Sequence, residues 1–150
     1  MSNEQSAPSF QGMTVKGFKQ PLKLSDFKLI AFDMDSTLIN IECIDEIADA
    51  AGRKAEVAAI TEAAMRGEIA DYKDSLRRRV ALLKGVTMAH MEEVLNHRLQ
   101  LNPGAENLVK ACQTAGMKVL LVSGGFTFFT DHVKDRLNIN WTRSNVLEVV

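Results

Sequence analysis

The sequence predicts an α/β protein built on a parallel β-sheet. Two short apolar runs, Phe27–Phe32 and Val119–Val122, lead directly into the polar segments Asp33-Met34-Asp35 and Ser123-Gly124-Gly125. Continuous apolar runs of this length fit strands covered on both faces, as in a parallel sheet. Residues 42–99 contain no such run and carry apolar residues at helical spacing instead. The expected architecture is a sheet core with a helical insert after its first strand.

The chain order divides into three parts. Residues 1–26 are expected to form a tail and an irregular lead-in, because the first dozen are polar and Gly17 and Pro21 interrupt the rest. The α/β core is expected to comprise residues 27–41 plus 100–150.

The insert, residues 42–99, is predicted to be a set of helices that caps the strand ends, where ligands of parallel sheets bind. Asp71 and Thr87 suit the N-caps of its last two helices. Glycines separate its apolar segments where helices would end, namely Gly52, Gly67 and Gly85.

The elements after the insert are a helix, a strand and a second helix. The first helix is predicted over 103–115, with Pro103 at its first position and Gly116 at its end. The strand at 119–122 follows, then a helix over 127–137. A third strand is expected at 145–150.

Composition excludes several classes of protein. The chain has 150 residues, of which 46% are hydrophobic and 25% charged, as is ordinary for a globular protein. Its 18 Lys and Arg nearly balance its 19 Asp and Glu, which disfavours nucleic acid as a partner. The longest apolar runs are about five residues, against the roughly 20 needed for a membrane span. We expect a cytoplasmic protein without nucleic-acid or membrane partners; its oligomeric state is left open.

Asp33 and Asp35 form the first candidate site. Side chains two apart on an extended segment point the same way, so both carboxylates would meet at the mouth of the first strand. Such a pair does not stay fully ionised unless a cation lies between the acids or one holds a proton. A Mg²⁺ ion that also binds phosphate oxygens suits two carboxylates. The alternative is a pair of turn acids without a binding role.

Ser123 and Gly124 form the second candidate site. They follow a strand and precede a predicted helix, and glycine allows the backbone to approach a ligand closely. The free N–H groups at a helix start favour an anion. The same residues would equally form a plain turn between a strand and a helix.

Arg79 is the third candidate. It ends a run of three arginines, Arg77, Arg78 and Arg79, whose side chains fan out at about 100° per residue of helix. Arg79 lies about 40° from the apolar position Leu83, so it is best placed to reach inward to a carboxylate or phosphate. The alternative is three solvated arginines. Solvation is also expected for the acids on the polar face of the insert's first helix, Asp45, Glu46 and Asp49.

Together these motifs resemble the haloacid-dehalogenase-like phosphatases. Within them the likeness narrows to the phosphoserine phosphatase family and covers residues 27–150. It rests on Asp33–Glu46 (DMDSTLINIECIDE), Ser75–Val80 (SLRRRV) and Val122–Phe126 (VSGGF). The resemblance implies a Rossmann-like core with a helical cap. It also implies a Mg²⁺-dependent phosphoric monoester hydrolase that acts on O-phospho-L-serine in serine biosynthesis.

The resemblance assigns catalytic roles to two residues of the core and phosphate-binding roles to two others. Asp33 would be the nucleophile that forms an aspartyl phosphate, and Asp35 would act first as acid and then as base. Mg²⁺ would bind the Asp33 carboxylate, the main-chain oxygen of Asp35 and the phosphate. Ser123 and Gly124 would hold phosphate oxygens.

The resemblance also places two substrate-binding residues in the cap. Glu42 would bind the ammonium of the substrate and Arg79 its carboxylate. The helical spacing points to Arg79 independently, whereas Glu42 falls opposite the apolar stripe of its helix. The family has further motifs, a lysine and a pair of acids, that would follow Val150. On that expectation the core is incomplete, and the 150-residue chain alone has little or no activity.

The sequence is also compatible with two alternative hypotheses about function. One is a different phosphatase or phosphotransferase of the same superfamily. The other is a non-catalytic, truncated module that binds phosphate or metal.

Overall fold

The computed structural model describes residues 22–148 and, before them, Gly17. The predicted tail and most of the predicted lead-in lie outside the described residues. The first element is one turn of 3₁₀ helix, Leu24–Asp26, from which the chain enters the sheet.

A parallel three-stranded sheet organises the described chain. Its strands, in spatial order, are β1 (Leu29–Phe32), β2 (Lys118–Phe126) and β3 (Trp141–Asn145). Phe32, the last residue of β1, lies opposite Leu121 of β2. Because the strands are parallel, the acidic segment after β1 and the Ser-Gly-Gly segment of β2 lie toward the same edge. The predicted α/β class is confirmed.

The later strands differ in their bounds from the prediction. β2 continues through Ser123-Gly124-Gly125, whereas the sequence predicts an end at Val122; beyond a register shift, Phe126 pairs with Asn145. β3 comes before the strand predicted at 145–150, of which residues 149–150 lie outside the described part.

An asparagine pair explains the early start of β3. Asn138 ends the preceding helix in the left-handed conformation (φ 52°). Asn140 Oδ1 then accepts a hydrogen bond from Val119 N–H at 2.8 Å, which fixes the chain beside β2 immediately before Trp141.

β1 is shorter and less covered than the sequence predicts. Phe27 precedes the strand, and Leu29 on one face is 51% exposed, whereas Ile30 and Phe32 on the other face are half-buried. Within residues 22–148, β1 pairs only with β2. The expectation that both faces of this strand are covered is therefore wrong for the described chain, because the face that carries Leu29 is exposed.

Four α-helices follow β1 within residues 43–93, and no strand of the sheet lies among them. They are α1 (Cys43–Ala50), α2 (Lys54–Met65), α3 (Tyr72–Leu82) and α4 (Met88–Glu93), which a further turn, Val94–Arg98, extends. Left-handed glycines follow the first three of these helices, at Gly52, Gly67 and Gly85. None of the helices in the described part is long and apolar enough to cross a bilayer.

The two predicted N-caps are confirmed. Asp71 accepts a hydrogen bond from Lys73 N–H at 3.1 Å at the start of α3. Thr87 accepts from His90 N–H at the start of α4, and the His90 ring accepts from Thr87 N–H at 3.1 Å. The second pair is a reciprocal capping box that uses histidine at its third position.

Two further helices flank β2: α5 (Ala105–Thr114) and α6 (Thr127–Leu137). α6 has the predicted bounds. Pro103 lies outside α5, contrary to the prediction, because Gly104 takes a left-handed conformation (φ 86°) and begins the helix as its N-cap. Phe126 and Phe129 are fully buried in the core.

A narrow neck connects the α1–α4 segment to the sheet; we define it as residues 37–41 and 99–102. A short antiparallel bridge joins the two stretches. Asn40 N–H donates to the Gln100 carbonyl at 3.0 Å, and Gln100 N–H donates to Asn40 Oδ1 at 2.8 Å. Asn102 Nδ2 donates to two carbonyls of the first stretch, each at 2.9 Å. The outgoing and returning chains are therefore fixed to each other.

Candidate active site

Asp33 and Asp35 flank the start of an irregular turn that follows β1. Both have extended main-chain angles (ψ 159° and 131°), and Met34 between them is fully buried. Asp33 is exposed, and its Oδ2 accepts a hydrogen bond from Thr37 Oγ1 at 3.2 Å. Neither acid forms a salt bridge within the described residues.

The carboxyl group of Asp35 is half-buried and incompletely hydrogen-bonded. Its Oδ2 accepts from Cys43 N–H at 2.9 Å, while Oδ1 is buried without a partner in residues 22–148. Burial raises the pKa of Asp35 from 3.8 to about 6, against the opposing hydrogen bond from Cys43; the negative charges of Glu42 and Asp33 add smaller increases. The two acids of the sequence prediction thus interact electrostatically.

The Ser123–Gly125 segment is held rigidly. Gly125 N–H donates to Ser123 Oγ at 2.9 Å, and Asn145 Nδ2 donates to the Gly124 carbonyl at 2.8 Å. The Gly124–Gly125 peptide is therefore fixed at both of its polar groups. Since Ser123 Oγ already accepts a hydrogen bond, its own proton remains available to a bound anion.

Both glycines of this segment are required by close neighbours. A Cβ atom on Gly125 would lie 3.1 Å from Ser123 Oγ and 3.6 Å from Asp35 Oδ1. A Cβ on Gly124 would overlap the hydroxyl of Tyr72, which comes from the first turn of α3. The absence of side chains at these positions thus brings the second predicted site against the unpartnered oxygen of the first.

Glu42 lies nearer the two acids than a helical wheel suggests. It is the N-cap of α1 and has an extended main chain, so the wheel of that helix does not describe its direction. Its Oε1 accepts a hydrogen bond from Ser36 Oγ at 2.6 Å, and Ser36 holds a left-handed conformation (φ 55°). The Glu42 charge raises the pKa of both Asp35 and Asp45.

Arg79 is the most buried of the three consecutive arginines. Arg77 and Arg78 are exposed, and Arg78 pairs with Asp74 at 2.8 Å. Arg79 is half-buried, and its Nε atom is buried without a partner in the described chain. The Arg79 charge acts on Asp45, whose pKa burial raises and Arg79 lowers. The charges of Arg79 and Glu42 thus both act on Asp45.

The acids of α1 are less simply solvated than the sequence suggests. Asp45 Oδ1 is buried without a partner in the described part. Glu46 and Asp49 accept hydrogen bonds from Arg98 at 2.8 and 2.5 Å. A helical-wheel argument missed these contacts because Arg98 lies 49 residues beyond Asp49 in the chain. Tyr72 also escaped the sequence reasoning, since no pattern links it to Gly124.

A haloacid dehalogenase-like hydrolase family model matches residues 27–149. The chain is 76% identical over 137 residues to a phosphoserine phosphatase of Polaromonas sp. strain JS666, covering 91% of this chain and 58% of the relative. It is 71% identical over 138 residues to a phosphoserine phosphatase of Albidiferax ferrireducens, covering 92% of this chain and 58% of the relative. The chain therefore spans 58% of the length of each of these curated relatives.

Solved structures show the same relationship. A substrate-bound phosphoserine phosphatase complex superposes with a TM-score of 0.76 at 40% identity, covering 83% of this chain and 58% of the other. A phospho-aspartyl intermediate analogue of phosphoserine phosphatase gives a TM-score of 0.76 at 41% identity with the same coverage. The family model matches most of the chain, and the neighbours share its fold. The chain belongs to the haloacid dehalogenase-like hydrolase family.

Proposed function

We propose that the protein is a phosphoserine phosphatase, which hydrolyses O-phospho-L-serine to L-serine and phosphate. The observation that carries the proposal is the position of the unpartnered Asp35 Oδ1, 3.6 Å from where a Cβ atom on Gly125 would lie, with exposed Asp33 at the same edge of the sheet. An acid pair beside a rigid anion-binding segment suits phosphoryl transfer. The names of the curated relatives support the same substrate.

Asp33 would attack the phosphorus atom. Its carboxylate is exposed, and the hydrogen bond from Thr37 engages Oδ2 and orients the group, which leaves Oδ1 for the attack. The new O–P bond gives an aspartyl phosphate while the bond to the serine oxygen breaks. A covalent intermediate divides one difficult step into two easier ones.

Asp35 would transfer the proton in both steps. Burial raises its pKa to about 6, so a usable fraction of the carboxyl is protonated near neutral pH. In the first step it would protonate the departing serine oxygen. In the second step its carboxylate would take a proton from the water that hydrolyses the aspartyl phosphate. The carboxyl thus returns to its starting state.

The residues present fit a Mg²⁺ ion in part. Asp33 and the main-chain oxygen of Asp35 would hold it, and the same turn contains the buried Asp35 Oδ1, which has no hydrogen-bond partner in the described residues. Residues 22–148 contain no cluster of three metal-ligating side chains, so water and phosphate oxygens would supply further ligands. A bound Mg²⁺ would neutralise charge on the transferring phosphoryl group.

Two groups of the β2 segment would hold the phosphoryl oxygens. Ser123 can donate its hydroxyl proton, because Gly125 N–H already occupies an acceptor position on Oγ. Gly124 would supply its main-chain N–H. The hydrogen bond from Gly125 N–H holds Ser123 Oγ before substrate binds, and a donor fixed in this way stabilises developing charge without reorganisation.

Glu42 and Arg79 would recognise the serine moiety. The exposed Glu42 carboxylate, oriented by Ser36, would bind the ammonium group, and the Arg79 guanidinium would bind the carboxylate. We place the reaction in serine biosynthesis in the cytoplasm, and the α1–α4 segment, residues 42–99, is the cap of the site.

Paired substrates test this proposal in the full-length protein with Mg²⁺. O-phospho-L-serine reports the whole site, and p-nitrophenyl phosphate reports the phosphoryl chemistry without the amino-acid contacts. Glu42→Gln and Arg79→Met should each lower kcat/KM for phosphoserine by about 100-fold or more and affect p-nitrophenyl phosphate far less. Asp33→Asn should lower both activities about a thousandfold or more.

Arg78→Met is the matched control for Arg79→Met, because Arg78 is exposed and paired with Asp74 on the same helix. It should leave both activities near those of the wild type. A wild type whose kcat/KM for another phosphate monoester equals or exceeds that for phosphoserine would favour a different phosphatase of the family. Phosphate binding without any hydrolysis would favour the non-catalytic module.

A further inference from the structure

Tyr72 reaches from the cap to the phosphate-binding segment. It is the first residue of α3, positioned by the Asp71 N-cap, whose side chain accepts from Lys73 N–H at 3.1 Å. Its hydroxyl lies so close to Gly124 that a Cβ atom on the glycine would overlap it. The Tyr72 side chain therefore spans the gap between α3 and the end of β2.

Burial does not account for this placement. Tyr72 is 59% exposed, so most of its ring is not in the core. Its hydroxyl abuts a main chain that cannot yield easily, because Asn145 and Ser123 hold the Gly124–Gly125 peptide on both sides. The position of the Tyr72 hydroxyl against the fixed Gly124–Gly125 peptide therefore calls for a functional explanation.

The chemistry of the phenol supplies one. A tyrosine hydroxyl is a hydrogen-bond donor, and phosphoryl oxygens are strong acceptors. We propose that the Tyr72 hydroxyl is a third donor to the phosphoryl group held by Ser123 and Gly124, so that the cap contributes directly to phosphate binding. This inference rests on the phosphoryl site of the proposed function but not on the identity of the alcohol.

The arrangement also couples phosphate binding to the position of the cap. Tyr72 and Arg79 belong to the same helix, α3, so the residue proposed to contact the phosphoryl group and the one proposed to bind the substrate carboxylate move together. A bound phosphoryl group would hold the start of that helix against β2. The substrate would then stabilise the closed cap through its phosphate end as well as its amino-acid end.

Tyr72→Phe is the decisive variant, because it removes only the hydroxyl. In the full-length protein we expect the inhibition constant of inorganic phosphate to rise about tenfold. The KM for phosphoryl substrate should rise by a similar factor, with a smaller effect on kcat. The midpoint of thermal unfolding should stay at the wild-type value, since the ring is retained. Unchanged phosphate inhibition in Tyr72→Phe would overturn the proposal. Comparison of Tyr72→Phe with Tyr72→Ala separates the effect of losing the hydroxyl from the effect of losing the ring.

A spectroscopic measurement tests the contact without turnover. Protein labelled with 3-fluorotyrosine gives a ¹⁹F resonance for Tyr72, assigned by its loss in Tyr72→Phe. That resonance should shift on titration with inorganic phosphate. A resonance that does not move while phosphate inhibits the enzyme would also refute the contact.

A double-mutant cycle tests the proximity to Gly124. Gly124→Ala should weaken phosphate binding partly by pushing the hydroxyl aside, so its effect should be smaller in a Tyr72→Ala background. Additive effects would contradict the contact.

Because inorganic phosphate is the probe, a protein that binds phosphate but rejects phosphoserine would refute only the proposed substrate. Failure of the Tyr72 tests in an active phosphoserine phosphatase would refute only this inference.

Discussion

Asp35→Asn should make the folded protein more stable at neutral pH while it removes activity. Burial raises the pKa of Asp35 from 3.8 to about 6, so the folded state binds the proton more tightly than the unfolded state. The folded protein therefore bears no cost below pH 3.8, and the cost grows until the pH exceeds about 6. At about 1.36 kcal/mol for each pKa unit, the ionised form costs on the order of 3 kcal/mol.

Asparagine removes this cost and can still accept the hydrogen bond from Cys43 N–H. Its new N–H group faces the space of the unpartnered Oδ1, so part of the gain is offset by incomplete pairing. We expect a net increase of about 1–3 kcal/mol in the free energy of unfolding at pH 7.5, and no increase at pH 3.5. A carboxyl that costs stability and performs proton transfer would be a trade of stability for function.

Urea unfolding of the full-length protein between pH 3.5 and pH 8 measures this effect. The buffer should contain a chelator, because a bound cation would stabilise the ionised carboxyl. Asp33→Asn is the matched control: it makes the same change two residues away at an exposed side chain and should alter stability little at either pH. An Asp35→Asn protein that is less stable than the wild type at pH 7.5 would contradict the cost of ionising Asp35. A stability difference that does not depend on pH would contradict it as well.

Three other substitutions test individual contacts. Gly125→Ala adds a Cβ atom 3.1 Å from Ser123 Oγ, so kcat/KM should fall about tenfold or more; unchanged kinetics would show that the hydroxyl tolerates displacement. Arg98→Met removes the arginine that pairs with three acids, among them Asp49, which keeps Lys54 and whose pKa the Arg98 hydrogen bond lowers. Its loss of stability in urea should be present at pH 7 and shrink as the pH falls below 3.8; a pH-independent loss would point to packing instead. Thr87→Ala should cost about 1 kcal/mol in chemical denaturation and Thr87→Ser much less; equal costs would argue against the cap.

Local sequence patterns predict this fold well where the preference of a single residue, such as an N-cap or a terminating glycine, decides the structure. The bounds of α6, the N-caps Asp71 and Thr87, and the terminating glycines follow from side-chain and backbone preferences that act within a few residues. The bounds of β2 and β3 do not. β2 extends beyond Val122 because β3 pairs with its end, and a partner strand is not visible in the sequence of the strand itself.

The candidate site divides in the same way. The inward direction of Arg79 follows from helical geometry, and the half-buried side chain agrees with it. The direction of the Glu42 side chain does not follow from helical geometry, because Glu42 precedes the helix and its carboxylate is held by the left-handed Ser36. Tyr72 and Asp45 could not be identified from spacing, because their significance comes from residues on other elements that only folding brings near them.

The neck between residues 37–41 and 99–102 has a consequence for how such proteins diversify. Its hydrogen bonds hold the departing and returning chains side by side, and most of them use main-chain groups or asparagine amides outside α1–α4. A segment inserted between the two stretches of the neck therefore needs only ends that match the spacing of those stretches. Segments of other lengths and shapes could therefore replace α1–α4 on the same sheet, and the proposed substrate preference could change while the proposed phosphoryl site on the sheet is kept.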